Sequence, residues 1–323
     1  MNKLLKANTG ANKVRLFKSG FKTEMLLFLI LIVLFIFFSI ASPVFLRPET
    51  LMALLRQASI YGIIAIGMVF IIISSGIDLS VGAVVGLSGV VVAMALKAGI
   101  GIFPSILIAL SASMIVGIFN GILVSNFKVP PFIATLSSMT IVRNFILLMT
   151  GAKTISGLQN EFKIIATGNV FGIPNLFVAW FIVILLTIFI STKTVFGRNV
   201  YAYGSNKEAA RLSGINVKKT LYGVYALSSI LCGVAGVLLT ARLGNGVPTA
   251  GSGYELDAIA AAVVGGASLE GGEGSVLGAV IGAMIMAILR QGGTLLGINS
   301  FIMEIVIGSL IAIAVIIDKM GKK

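Results

Sequence analysis

The chain has 323 residues, of which 58% are hydrophobic and only 11% charged, and its mean hydropathy is +1.09. Buried core does not grow fast enough with chain length to hide that much apolar surface from water, which excludes a soluble enzyme and a disordered chain. The net charge of +13 therefore reads as cationic loops beside an anionic leaflet and not as a nucleic-acid footprint.

Residues 1–24 form a basic tail with Lys3, Lys6, Lys13, Arg15, Lys18 and Lys22, followed by an uncharged run from Met25 to Leu46. A signal peptide shares that pattern. The run is long enough to span, however, and the chain stays apolar beyond it, so it is read as a first membrane helix. About ten transmembrane segments are predicted, near 25–43, 51–74, 78–96, 103–125, 131–150, 175–193, 218–241, 255–269, 274–291 and 299–317. The fold class is an all-α polytopic membrane protein with one transmembrane domain over 25–317 and a short tail over 318–323. The third and eighth segments are short and open with acid-bearing motifs, which marks them as broken or partly spanning.

Charge sets the orientation. Ten crossings put both termini on one side. With the even-numbered loops, that side holds the six N-terminal cations, Lys128, Lys193, Arg198, Lys207, Arg211, Lys218, Lys219, Lys319, Lys322 and Lys323. The other side holds Arg47, Lys97, Lys153, Lys163, Arg242 and Arg290. The positive-inside rule makes the richer side cytoplasmic, including the loop over 194–217.

Gly76-Ile77-Asp78-Leu79-Ser80 opens the third segment and Gly253-Tyr254-Glu255-Leu256-Asp257 the eighth. These matching motifs enter from opposite faces, as an inverted repeat of segments 2–5 and 7–10 requires. An acid in apolar surroundings is costly unless it faces protein or water, so Asp78, Ser80 beside it, Glu255 and Asp257 are candidates for a substrate pathway or gate. N-capping is the competing reading for the three acids, and the two roles are compatible. Glu304 lies inside the last segment with no cation near it in sequence. Glycines at helix spacing, Gly82/Gly86, Gly117/Gly121 and Gly274/Gly278/Gly282, read as close-packing faces in lipid.

Gly265 to Ser275 is glycine-rich but lacks the Gly-Lys-Ser/Thr ending of a phosphate loop, so it reads as a tight cytoplasmic turn. The chain has no histidine and one cysteine, Cys232. Histidine-dependent catalysis, His-ligated zinc and an intrachain disulfide are thereby excluded, and no cofactor or metal is expected. In the 194–217 loop, Ser205 or Asn206 is placed to cap a short helix over 207–213 that Gly214 closes. Glu208, Ala209, Ala210 and Leu212 then form a small knob suited to a groove on a soluble partner.

Three stretches closely resemble the permease subunits of ribose-type sugar ABC importers. They are Ser75 to Gly82, Gly197 to Val217, and Pro248 to Ala261. The resemblance runs from about residue 45 to 317. It implies a permease homodimer in a bacterial cytoplasmic (inner) membrane, a cytoplasmic tandem ATP-binding-cassette subunit, an extracytoplasmic sugar-binding protein and no enzymatic activity in this chain. It also implies that the loop bearing Gly197, Arg198, Gly204, Asn206, Glu208, Ala209, Ala210, Arg211 and Gly214 is the element that touches the ATPase. Glu304 is not recognised as part of the family pattern. Two rival classes are an ion-coupled secondary transporter and an intramembrane enzyme. The enzyme reading is weakened by the missing histidine and by the lack of an Asp-Asp or Gly-x-Gly-Asp signature.

Overall fold

A computed structural model describes residues 24–320; the basic tail over 1–23 and the last three residues lie outside the described residues. Among the described residues, eight helices are long and apolar enough to cross a bilayer: α1 (Glu24–Ala41), α2 (Pro48–Ile73), α4 (Ile102–Ser125), α5 (Pro131–Thr150), α7 (Asn175–Lys193), α10 (Val217–Leu243), α12 (Val276–Leu295) and α13 (Ser300–Met320). The predicted segments coincide with these to within a few residues. The third and eighth segments are α3 (Val81–Lys97) and α11 (Tyr254–Val264), of 17 and 11 residues. At 1.5 Å per residue both fall short of a bilayer's hydrocarbon thickness of about 30 Å, α11 by about half.

Three further helices and one hairpin lie outside the predicted segments. They are α6 (Asn160–Thr167), β1 (Asn169–Val170) paired antiparallel with β2 (Ile173–Pro174), α8 (Val195–Ser205) and α9 (Lys207–Leu212).

The inner and outer helices differ as burial demands. α2 is apolar on all sides, and Ala58 to Ile73 are buried except Tyr61. α10 is buried from Leu231 to Ala241 except at Val234. A helix hydrophobic all round belongs at the centre of a bundle. α4 is built the other way. Its buried residues include Ser105, Ala109, Ser113, Gly117 and Gly121 at every fourth position, while Phe103, Leu107, Ile115 and Phe119 face outward. A Cβ on Gly117 would stand 2.5 Å from the Tyr225 carbonyl oxygen on α10. Without water to drive association, such small-residue faces bring backbones together.

The inverted repeat is visible in the packing. α3 and α4 pack on α10 as α11 and α12 pack on α2. The pairs α3–α4, α3–α5 and α4–α5 likewise repeat as α11–α12, α11–α13 and α12–α13. Exchanging α2–α5 for α10–α13 leaves this scheme unchanged, and α2–α10 and α3–α11 are the two pairs that map onto themselves.

The α3–α11 contact is a backbone crossing. A Cβ on Gly82 would collide with the Gly251 carbonyl oxygen and the Glu255 carboxylate, and a Cβ on Gly251 (φ +75°) with the Gly82 carbonyl oxygen. Gly86 lies beside the Ala250 carbonyl oxygen, and Gly278 and Gly282 fit against the backbone of Gly265 and Ala261. Gly274 departs from the predicted glycine face. It lies in the loop before α12 with φ +144°, so the face on α12 is formed by Gly278 and Gly282.

Candidate functional site

The first polar centre is at the start of α3. Asp78 is fully buried, and its Oδ1 accepts from the Ser80 backbone N–H at 2.8 Å and the Ser80 hydroxyl at 2.6 Å. The Ser80 oxygen accepts from Asn120 Nδ2 at 2.9 Å, and the Asn120 carbonyl accepts from the Ser138 hydroxyl. Thr135 on α5 accepts from the Leu79 N–H at 3.1 Å and donates into the chain's turns. The N-cap position belongs to Ser80, so Asp78 caps the turn two residues ahead of the helix. This network joins α3, α4 and α5 through side chains.

The second centre is at α11. Glu255 Oε1 accepts from the Gly253 N–H at 3.2 Å, a capping contact to the N-cap residue. Asp257 does not cap. Its Oδ1 meets Arg290 Nη2 at 2.6 Å, and Arg290 Nη1 meets Glu304 Oε1 at 3.0 Å. One guanidinium thus ties the half-length α11 to α12 and α13. Glu304 has a cation after all, 14 residues upstream in sequence on the neighbouring helix. Arg143, on α5, donates to the carbonyls of Pro248 and Ala250 at 3.3 and 2.8 Å. It thereby pins the loop over 244–253 that leads into α11.

A cavity of about 380 Å³ opens between α2, the last turn of α10 and that loop. Gln57, Tyr61, Arg242, Thr249 and Tyr254 bring polar atoms to it. The Tyr61 and Tyr254 rings stand 4.8 Å apart at 55°. None of these residues was singled out as a site candidate in the sequence. The available signal was Gln57 and Tyr61 on an otherwise largely apolar helix.

The end carrying α8 and α9 forms a third centre. The α2 terminus, α8 and the loop over 265–275 are knitted by backbone contacts. The Gly272 N–H donates to the Ile73 carbonyl at 2.8 Å, and the Ser75 hydroxyl lies 3.3 Å from the Gly204 carbonyl oxygen and 3.1 Å from that of Glu270. Gly204 faces the Ile73 carbonyl so closely that no Cβ fits. The Tyr201 hydroxyl donates to the Gly274 carbonyl at 2.8 Å. Burial, with the Glu24 carboxylate adding to it, pushes that phenol up to about 12, so it stays a donor at neutral pH.

On α9, the Asn206 side chain accepts from the Ala209 N–H at 2.9 Å, and Gly214 follows with φ +80°. Cap and stop stand where the sequence puts them. Glu208 and Arg211 pair at 3.0 Å on the outside. Ala210 departs from the predicted knob: it is 3% exposed and packs into the chain itself, whereas Ala209 and Leu212 face out. Gly197 is buried against the Ser191 carbonyl and shapes the α7–α8 bend, and Arg198 is exposed.

An inverted pair of helical repeats, short helices meeting inside the bundle and polar clefts between buried helices define a polytopic membrane protein of transporter type. The family model described as branched-chain amino acid transport system / permease component matches residues 50–316, and the chain belongs to that family of transport permeases. Among its relatives, the ribose import permease protein RbsC of Bacillus subtilis is 42% identical over 294 residues, 90% of this chain and 91% of that one. RbsC of Haemophilus influenzae is 40% identical, over 95% of this chain and 97% of that one. The xylose transport system permease protein XylH of H. influenzae is 38% identical, over 90% and 94%. No solved structure gives a significant match to the chain.

Proposed function

We propose that this chain is the membrane subunit of an ATP-binding-cassette importer that carries a monosaccharide, ribose first, into the cytoplasm. The observation that carries the reading is the likeness, at about 40% identity over nine-tenths or more of both chains, to proteins named ribose import permeases. Two copies of the chain, a cytoplasmic ATPase with two cassettes and an extracytoplasmic binding protein complete the importer. The membrane is the bacterial cytoplasmic one, with both termini inside. The absence of a phosphate-loop motif from the sequence supports a separate ATPase.

Within that frame, the exposed residues of α9 are the contact to the ATPase, because α9 follows directly on α8, whose contacts link the end of α2 to the 265–275 loop. A push on α9 reaches α2 through Gly204 and Ile73, and reaches α12 through Tyr201 and the 265–275 loop. Asp78 and Ser80, on the ATPase side of α3, and Glu255 and Asp257, at the head of α11, hold the two short helices whose movement gates the path.

The test is uptake of radiolabelled ribose by proteoliposomes holding the permease, its ATPase and, outside, the loaded binding protein. Accumulation is expected only with ATP inside and all three components present. Accumulation by the permease alone under a proton or sodium gradient would overturn the importer reading in favour of an ion-coupled carrier. Xylose is the second sugar to test, since xylose permeases are nearly as similar; xylose uptake exceeding ribose uptake with the same binding protein would reassign the substrate.

A further inference from the structure

The cavity between α2, α10 and the 244–253 loop has the chemistry of a site for a small neutral polyol. Its volume of about 380 Å³ lies at the lower end of the range for small-molecule pockets, roughly 300–1,000 Å³. Three of its polar side chains are uncommitted. Among the described residues, the Gln57 amide, the Arg242 guanidinium and the Thr249 hydroxyl make no hydrogen bond or ion pair. Tyr61 and Tyr254, whose side chains hydrogen-bond to each other, add two ring faces.

No carboxylate lines the cavity, so an ammonium ligand has no counter-charge. A planar guanidinium matches two neighbouring oxygens through its fork of N–H groups, and an amide beside it both donates and accepts. Aromatic faces take the C–H side of a sugar ring, the apolar counterpart of its hydroxyl side. Depth fits as well. Tyr61 stands halfway along α2 and Tyr254 opens the half-length α11, so the cavity leads from the Arg242 end of the bundle to the head of the helix held by the Asp257–Arg290–Glu304 bridge.

We infer that this cavity is a weak sugar-binding station inside the permease, with Gln57, Arg242 and Thr249 as its hydroxyl-reading residues and the Tyr61–Tyr254 pair as its ring platform. The inference rests on the importer reading and adds that the permease itself selects its cargo. The station releases the sugar inward when α11 moves, because Tyr254 is the first residue of that helix.

Two measurements test it. In the complete reconstituted importer, Arg242→Gln is expected to lower ribose uptake about tenfold and Gln57→Leu by a smaller factor, from lost charged and neutral hydrogen bonds. Both variants are expected to elute with the ATPase from size-exclusion chromatography as wild type does. In a Cys232→Ala background, Thr249→Cys is expected to react with a small maleimide, and ribose at tens of millimolar is expected to slow that reaction severalfold. Wild-type rates in both variants, or alkylation indifferent to ribose, would overturn the station and leave the importer standing. Protection by inorganic phosphate and not by ribose would make the cavity an anion site and overturn the sugar assignment. Failure of the wild-type importer to take up ribose would instead overturn the reading beneath it.

Discussion

Ser80 is the hinge of the buried network at α3. It donates to Asp78 while accepting from Asn120, which in turn accepts from Ser138. Removing its hydroxyl leaves a buried amide donor and a buried carboxylate each short of a partner, at a cost of about 1–3 kcal/mol for each stranded group. Ser80→Ala is therefore expected to lower the melting temperature of the purified permease, read by loss of the monodisperse peak on heating. Asp78→Asn behaves differently. Its amide oxygen still accepts the Ser80 N–H and hydroxyl, so the variant folds, while the loss of a buried acid at the start of α3 impairs uptake. Asp78→Ala removes the acceptor as well and costs about 0.5–2 kcal/mol more in the manner of a lost cap. An Asp78→Asn permease with full uptake would reduce Asp78 to a structural group. The sequence marks Asp78 and Ser80 because an acid flanked by long apolar runs stands out. It does not reveal Asn120 and Ser138, which look like ordinary polar residues until the helices bring them within reach.

At the scale of elements, α9 separates an outward face from a packing face within six residues. Leu212 is 81% exposed and Ala210 is 3% exposed. Leu212→Asp adds no burden to the fold and is expected to leave thermal stability within about 0.5 kcal/mol, yet to cut ATP-driven uptake because the ATPase contact is lost. Ala210→Trp overpacks the permease itself and costs about 1–3 kcal/mol, so a defect there says nothing of coupling. Wild-type uptake by Leu212→Asp would remove α9 from the ATPase interface. The cap and stop of α9 are legible in sequence because Asn206 and Gly214 act locally. The inward turn of Ala210 is not, because a helix of under two turns has no periodicity to read. Long helices are legible for the opposite reason: a run of about 20 apolar residues has few alternatives. α6, α8 and the β1–β2 hairpin escape notice, being short and amphipathic or held only by neighbours. The Asp257–Arg290–Glu304 bridge escapes because its members are 33 and 14 residues apart.

For the whole molecule, charge and packing meet in one geometry. Lys193, Arg198, Lys207, Arg211, Lys218 and Lys219 lie on α7 to α10 at the end that also holds the 265–275 loop, while Lys97 reaches the Gly157 carbonyl at the opposite end. Among the described residues the chain changes ends ten times, eight of them as long helices, once as α3, and once as the 244–253 loop continued by α11. The last two are the passages that an inverted repeat places back to back, and the Gly82–Gly251 crossing is where they touch. One long helix, α7, separates the loop after α5 from α9, and this makes the topology testable with two cysteines. Lys153, in the loop after α5, and Lys207, at the start of α9, are both exposed. In sealed right-side-out vesicles and a Cys232→Ala background, Lys153→Cys is expected to react with a membrane-impermeant maleimide, and Lys207→Cys only after permeabilisation. Labelling of Lys207→Cys in sealed vesicles would put α9 outside, away from any ATPase. Labelling of both would mean an odd number of passages between residues 153 and 207 is wrong, and with it the pairing of α2–α5 against α10–α13 across the bilayer.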